Sequence, residues 1–291
     1  PGVPTQGSFD GSHIYADNGV YTVTITVADD DGGVTVTQFE VTVNNVAPTV
    51  VAPGNQVVDE GELISLPNIG QFTDPGFDNP LNPGGATTER FTYSIDWGDG
   101  TATAVGNASI DTFGSPGVPM QGSFDGSHTY ADNGVYTVTV KAIDDDGGVG
   151  VATFTVTVNN VAPTLTLGTG DISIPLTETL AITDLGLFDD PGFDNSLNVG
   201  GETTERFTFS VNWGDGTPNS NGPATIDVPG AVGLRTAGSF DASHLYGAPG
   251  EYTVTVTLAD DDGGVAVAQF EVTVFVLRPT IIVFPPGGAG G

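Results

Sequence analysis

The chain has 291 residues, with 36 acidic side chains against 5 basic ones, a formal charge of −31 and no cysteine. So few cations exclude neutralising a nucleic-acid backbone or docking on an anionic membrane surface. The missing thiols exclude a disulfide scaffold, a thiolate zinc site and a cysteine nucleophile.

No apolar run approaches the roughly 20 residues that a membrane-spanning helix needs. No signal peptide is visible, and a chain opening on Pro1 is expected to be a processed or cut piece. Taken in order, the elements are strands. Tyr21, Val23, Ile25 and Val27 alternate with threonines, the period-two pattern of a half-buried strand. After the turn at Asp29–Asp31, Val34 and Val36 lie on one phase while Phe39, Val41 and Val43 lie on the other. A β-bulge near Gln38, and in later copies near Thr153 and Gln269, is the expected cause. Asn44 and Asn45 close this segment, and Pro48–Val51 opens a new one. Beyond a loop-rich stretch at Asp74–Glu89, Phe91, Tyr93, Ile95 and Trp97 alternate with Thr92, Ser94 and Asp96. Gly98-Asp99-Gly100 follows as a tight turn, and Tyr136–Val140 repeats the pattern of Tyr21–Val27. No stretch carries a helical stripe.

The chain then repeats itself. Gly-Ser-Phe-Asp-x-Ser-His stands at Gly7–His13, Gly122–His128 and Gly238–His244. Trp-Gly-Asp-Gly-Thr stands at Trp97–Thr101 and Trp213–Thr217, and triple aspartates begin at Asp29, Asp144 and Asp260. The period is about 115 residues, the size of a self-contained domain. With joints at the two Asn-Asn-Val-Ala-Pro-Thr copies, residues 1–46 are the closing part of one repeat. Residues 47–161 and 162–278 are complete repeats, and 279–291 is a tail that would open a further repeat or donate a strand. About seven short strands per repeat predict an all-β chain of tandem antiparallel β-sandwiches of immunoglobulin type. The head 1–46 lacks the Trp strand, so its apolar face and edges need completion, by covalent neighbours or by strand complementation from another copy.

Tyr93–Thr101, followed by His128-Thr129-Tyr130 and Gly134–Val140, resembles the PKD family of immunoglobulin-like domains, and the second complete repeat carries the same elements. One residue is missing before Gly98 and Gly214, where the family has Phe. Asp74–Glu89 and Asp190–Glu205 enlarge a loop that is short in the family. The resemblance implies a secreted or cell-surface, non-catalytic spacer or adhesive module. It also implies that loops distant in sequence share one pole of each sandwich, where some members carry Ca²⁺, a cation that takes six to eight oxygen ligands. Carried over position by position, the first repeat would offer Asn45, Asp74, Asp78, Asp144 and Asp146. The second would offer Asn160, Asp190, Asp194, Asp260 and Asp262, with Glu62 and Glu178 as additions. The middle aspartates Asp30, Asp145 and Asp261 are expected to face solvent. Read alone, Asp-Asp-Asp-Gly-Gly is only a soluble hairpin turn.

The expected partners are neighbouring copies of the same repeat protein, head to tail or side by side, in a calcium-stiffened rod, stalk or filament outside the cell. The alternative is an adhesive module that binds cell-surface glycans through the enlarged loops. The Ser-His pairs do not make a hydrolytic triad, because neighbours on a strand point to opposite faces. The histidines are a domain length apart, which excludes a zinc centre built from the three of them.

Overall fold

β-Branched and aromatic residues on one phase, with Thr, Ser and Asp on the other, leave the backbone no regular option but extended chain. The structure, a computed structural model, describes residues 2–82, 87–198 and 204–278, and every regular element among them is a strand. The head is one hairpin, β1 (Gly19–Ala28) with β2 (Val34–Val43). The first complete repeat runs through β3 (Thr49–Val51), β4 (Gln56–Asp59), β5 (Leu63–Asp74), β6 (Phe91–Asp96), β7 (Ala104–Asn107), β8 (Ser109–Thr112), β9 (Met120–Thr129), β10 (Gly134–Asp144) and β11 (Val149–Asn159). The second runs through β12 (Thr164–Leu167), β13 (Ile172–Pro175), β14 (Leu180–Asp190), β15 (Thr208–Asn212), β16 (Ser220–Pro223), β17 (Thr225–Val228), β18 (Thr236–His244), β19 (Gly250–Ala259) and β20 (Val265–Phe275). The tail 279–291, expected to open a further repeat or donate a strand, lies outside the described residues.

Each complete repeat has one four-stranded and one five-stranded sheet: β3-β5-β9-β8 and β4-β11-β10-β6-β7, then β12-β14-β18-β17 and β13-β20-β19-β15-β16. The described residues hold nine strands per repeat rather than about seven, because two stretches each serve both sheets. The opening strand splits, so that β12 pairs antiparallel with β14 while β13 pairs parallel with β20. The short strands β16 and β17 divide in the same way between β15 and β18. This is an immunoglobulin-like sandwich used in tandem.

The expected bulge is absent at Gln38 and at Gln269. β1 and β2 pair without a break from Gly19↔Val43 to Ala28↔Val34, as β19 and β20 do from Gly250↔Val274 to Ala259↔Val265. Unbroken register turns successive residues to opposite faces, so the change of phase sends Val34 and Val36 outward, exposed at 62 % and 56 %. The register shifts instead within β14, between Ile182 and Gly186, where Asp184 takes a left-handed φ of 50°.

The core lies between the sheets. In the second repeat Trp213, Leu185, Phe207, Val211, Val254, Val256, Leu258 and Val272 are fully buried. Phe188 meets Phe207 at 4.5 Å and Phe209 stacks on Phe240 at 4.4 Å, repeating Phe72 on Phe91 and Tyr93 on Phe124. Tyr246 sits at the corner, and its hydroxyl donates to the carbonyl of Trp213 at 3.2 Å.

The chain packs as two compact units. One holds the residues through Val58, Leu63–His128 and Val135–Thr157. The other holds Asp59–Glu62, Thr129–Gly134 and the chain from Val158. The first unit therefore holds the head hairpin with the sandwich that follows it, and the second holds a sandwich with two segments, Asp59–Glu62 and Thr129–Gly134, that belong by sequence phase to the preceding repeat.

The turn after each tryptophan depends on glycine. Gly214 and Gly216 have φ of 80° and 79°, and a Cβ on Gly214 would stand 2.5 Å from the carbonyl oxygen of Thr253, whereas none would meet anything at Gly216. Gly214→Ala should cost about 1–3 kcal/mol of unfolding free energy by urea titration. Gly216→Ala should cost less, since it carries only the backbone strain.

Candidate metal-binding joints

Two constellations follow from the repeated motifs. The first explains the recurring Ser-His. In β9 and β18 the serine faces solvent while the histidine turns inward. His128 Nε2–H donates to Asp99 Oδ2 at 2.7 Å, and His244 to Asp215 Oδ2 at 2.8 Å. Each imidazole lies flat on its tryptophan, with ring centres 5.0 Å apart on Trp97 and 4.9 Å on Trp213. Burial alone would raise the Asp99 carboxyl, but the hydrogen bonds from His128 and Thr101 outweigh it and hold it below the usual carboxylate range. Thr217 and His244 do the same for Asp215. The Gly-Asp-Gly turn is thus clamped to the Gly-Ser-Phe-Asp-x-Ser-His strand. No local pattern marks this pairing, and its one trace in the sequence is that both motifs recur with one period.

The second constellation is acidic. In the first unit, the enlarged segment begins at Asp74, whose Oδ1 accepts the N–H of Gly76 at 2.7 Å. The segment then docks back on the preceding repeat, with Phe77 N–H donating to the Ala16 carbonyl at 3.0 Å. It closes where Glu89 N–H donates to Asp78 Oδ1 at 2.9 Å. In the second unit Gly192 N–H donates to Asp190 Oδ1 at 2.8 Å, Phe193 N–H to the Ala131 carbonyl at 2.9 Å and Glu205 N–H to Asp194 Oδ1 at 2.8 Å. The enlarged loops, which the adhesive alternative takes as the binding site, tie back in their described parts to the preceding repeat, with Phe77 and Phe193 buried. Their tips, 83–86 and 199–203, lie outside the described residues.

The ten expected ligands separate by role. Asp74 and Asp190 are buried at 3 % and 1 %, and Oδ2 of each has no hydrogen-bond partner. Asp144 and Asp260 first fold their own hairpins, each accepting two backbone N–H bonds through Oδ1. Asp144 also accepts from Asn45 Nδ2 at 2.9 Å, and Asp260 from Asn160 Nδ2 at 3.3 Å. It is therefore the amide nitrogen of each asparagine, not its oxygen, that faces the carboxylate. Asp78 and Asp194 pin the far end of the loop. Asp146 and Asp262 stand near acids of the preceding repeat, Asp17 and Asp132, whose carboxyls are raised by burial first and by these neighbours' charge as well. The middle aspartates are exposed but tethered, Asp145 Oδ1 accepting the Arg90 N–H at 3.2 Å and Asp261 Oδ1 that of Arg206 at 3.1 Å.

Glu89, Glu205, Glu60, Asp17 and Asp132 were not expected at these poles. Glu89 Oε1 and Asp74 Oδ1 both lie within 3.0 Å of the point where a Cβ on Gly76 would stand. Glu205 Oε1 and Asp190 Oδ1 lie within 3.0 Å of the same point on Gly192. Glu60 Oε1 accepts the Val161 N–H at 2.7 Å. Burial first, and neighbouring carboxylates second, push Glu89 and Glu60 up to about 8, Glu205 to about 9 and Asp190 to about 7. Glu62 and Glu178, the expected additions, are exposed. Among the described residues no group of three or more His, Asp or Glu side chains closes to metal-ligand distances as placed.

Residues 5–43 and residues 192–274 each match a family model described as the PKD domain. Those two stretches are PKD domains. No curated protein matches the chain. Among solved structures, the titin domains Z1Z2 in complex with telethonin are 13 % identical over 81 % of this chain and 100 % of theirs, with a TM-score of 0.32. Fibronectin(III)-like modules of Clostridium thermocellum CbhA are 18 % identical over 79 % and 93 %, at 0.25. Mouse clustered PcdhgC3 EC1-3 is 12 % identical over 89 % and 77 %, at 0.29. Scores this low carry no argument about what PKD domains do here. No helix of the described chain is long and apolar enough to cross a membrane.

The raised carboxyls fix a pH dependence. A group whose folded pKa lies above its unfolded value binds more protons when folded, so stability falls as pH rises between the two. For Glu60, Glu89 and Glu205 that window runs from 4.5 to about 8 or 9. In chelator, the melting midpoint should drop by about 5 °C or more between pH 5 and pH 8.5. Glu205→Gln should flatten that slope. Below pH 4 the sign reverses, because Asp99 and Asp215 are held low and their contribution is lost on protonation.

Proposed function

We propose that the protein is an extracellular, non-catalytic repeat module whose acidic joints hold Ca²⁺ and so stiffen a rod, stalk or filament. The observation that carries this reading is the pair of buried, unpartnered oxygens, Asp74 Oδ2 and Asp190 Oδ2, set among further carboxylates. An anionic oxygen removed from water without a partner destabilises the fold, and a cation answers that need more completely than a hydrogen bond. The donors are all hard oxygens, the set that suits Ca²⁺. At the first joint Asp74, Asp144 and Glu89 would hold it, and at the second Asp190, Asp260 and Glu205. Only five basic residues exist to offset 36 acids, so side chains of the chain itself cannot neutralise both poles.

PKD domains occur in extracellular proteins, and the complete lack of cysteine leaves a bound cation as the cross-link available to this chain. Neighbouring copies of the same repeat are the partners this reading implies. A catalytic role is disfavoured because Ser127 and Ser243 face solvent while His128 and His244 turn inward, so neither serine meets its neighbouring imidazole.

Saturating Ca²⁺, at a hundredfold its dissociation constant, would add about 2.7 kcal/mol to unfolding. The test is a melting curve in millimolar Ca²⁺ and in excess chelator at pH 7.5. The midpoint should rise by roughly 5–10 °C with the ion, and electron micrographs should show straighter particles. An unchanged midpoint would sink the reading.

A further inference from the structure

Each acidic pole is assembled from two successive repeats. At the first joint a pocket of about 140 Å³ is lined by Asp17, Asn18 and Asn45 before the joint and by Asp74, Gly76 and Glu89 after it. Asp17 stands near Asp146 of the following repeat, whose charge adds to burial in raising its carboxyl. At the second joint Asp132 stands near Asp262 in the same way, and Glu60 accepts the backbone N–H of Val161 at 2.7 Å. Both placements set like-charged groups of different repeats against each other, where simple solubility would keep them apart. The backbone ties at Ala16 and Ala131 hold them there.

The far end of the second repeat carries the same preceding-side positions with other residues. Leu176 N–H donates to the Phe275 carbonyl at 2.9 Å, as Glu60 N–H donates to that of Asn159 at 3.1 Å, so Leu176 occupies the position of Glu60. Tyr246-Gly247-Ala248-Pro249 stands where the earlier copies have Tyr15-Ala16-Asp17-Asn18 and Tyr130-Ala131-Asp132-Asn133. Every acid that the preceding repeat contributes is gone.

Resting on the calcium reading above, we propose that each joint binds one divalent cation whose ligands come from both repeats. Asp17 completes the first site, built on Asp74, Glu89 and Asp144. Asp132 and Glu60 complete the second, built on Asp190, Glu205 and Asp260. The unpartnered Asp74 Oδ2 and Asp190 Oδ2 are the buried oxygens each ion takes up. The ion is then the bond between one repeat and the next, and the pole bearing Leu176 and Ala248 binds none.

The test counts ions on the full chain with Ca²⁺ alone, by equilibrium dialysis and calorimetry, with circular dichroism to confirm that each variant is folded. The wild-type chain should take up two ions. Asp17→Asn and Asp132→Asn should each lose one ion or weaken it at least tenfold, and Glu60→Gln should weaken the same ion as Asp132→Asn. Glu178→Gln, at the far end of the second repeat, should leave both. No uptake by the wild-type chain would overturn the calcium reading itself. Two ions that survive both aspartate substitutions, or a third ion lost with Glu178, would overturn only the sharing between repeats.

Discussion

The structure turns on like charge held in a confined place. Asp74 and Asp190 are buried to within a few per cent, one oxygen of each has no hydrogen-bond partner, and a glutamate approaches each across a glycine. Repulsion between such groups weakens with distance and with water. A chain that merely needed solubility would spread them over its surface. Here the backbone does the opposite, through loop closures repeated to within a tenth of an ångström between units. Phe77 and Phe193 anchor the loops in apolar contact, and that burial offsets the electrostatic cost of bringing the acids together.

The rest of the fold is arranged around that constraint. Gly76 and Gly192 give the two carboxylates room to approach, since a Cβ there would stand 2.6 Å from a glutamate oxygen. Asp144 and Asp260 spend one oxygen on folding the triple-aspartate hairpin and turn the other toward the asparagine of the joint. The hairpin reading and the ligand reading of that motif are therefore compatible, because the two oxygens of one carboxylate have different tasks. At the other end of the tryptophan strands the His–Asp–Trp clamps satisfy their acids completely. Among the described residues, that contrast locates the unmet demand at the joints.

The sandwich was legible in the sequence because its signals are local. Period-two alternation marks Tyr136–Val140, Phe91–Trp97 and their copies, and Gly-Asp-Gly marks a turn that needs positive φ. The same locality misleads at the bulge, where a change of apolar phase reads as a break in register although Val34 and Val36 simply face outward. The acidic poles were half legible. Asp74 and Asp144 sit in conspicuous Asp-Gly clusters, but Glu89 lies alone at the far end of a loop and Asp17 belongs to another repeat. No local pattern marks either. The available signal was comparison among copies, since Tyr-Ala-Asp-Asn-Gly occurs twice and becomes Tyr-Gly-Ala-Pro-Gly at Tyr246–Gly250.

That change bears on how a repeat protein sets its own joints. A joint that needs acids from both neighbours forms only where the two halves of the signal meet. In the second repeat Leu176 and Ala248 stand in place of Glu60 and Asp132, and Leu176 packs against the sandwich core. Leu176 sits where Glu60 would, on an equivalent backbone hydrogen bond, so the scaffold of the pole survives the loss of its charge. The core is fixed by alternation along strands, whereas the joint is fixed by a few acids in loops that the strands position but do not constrain.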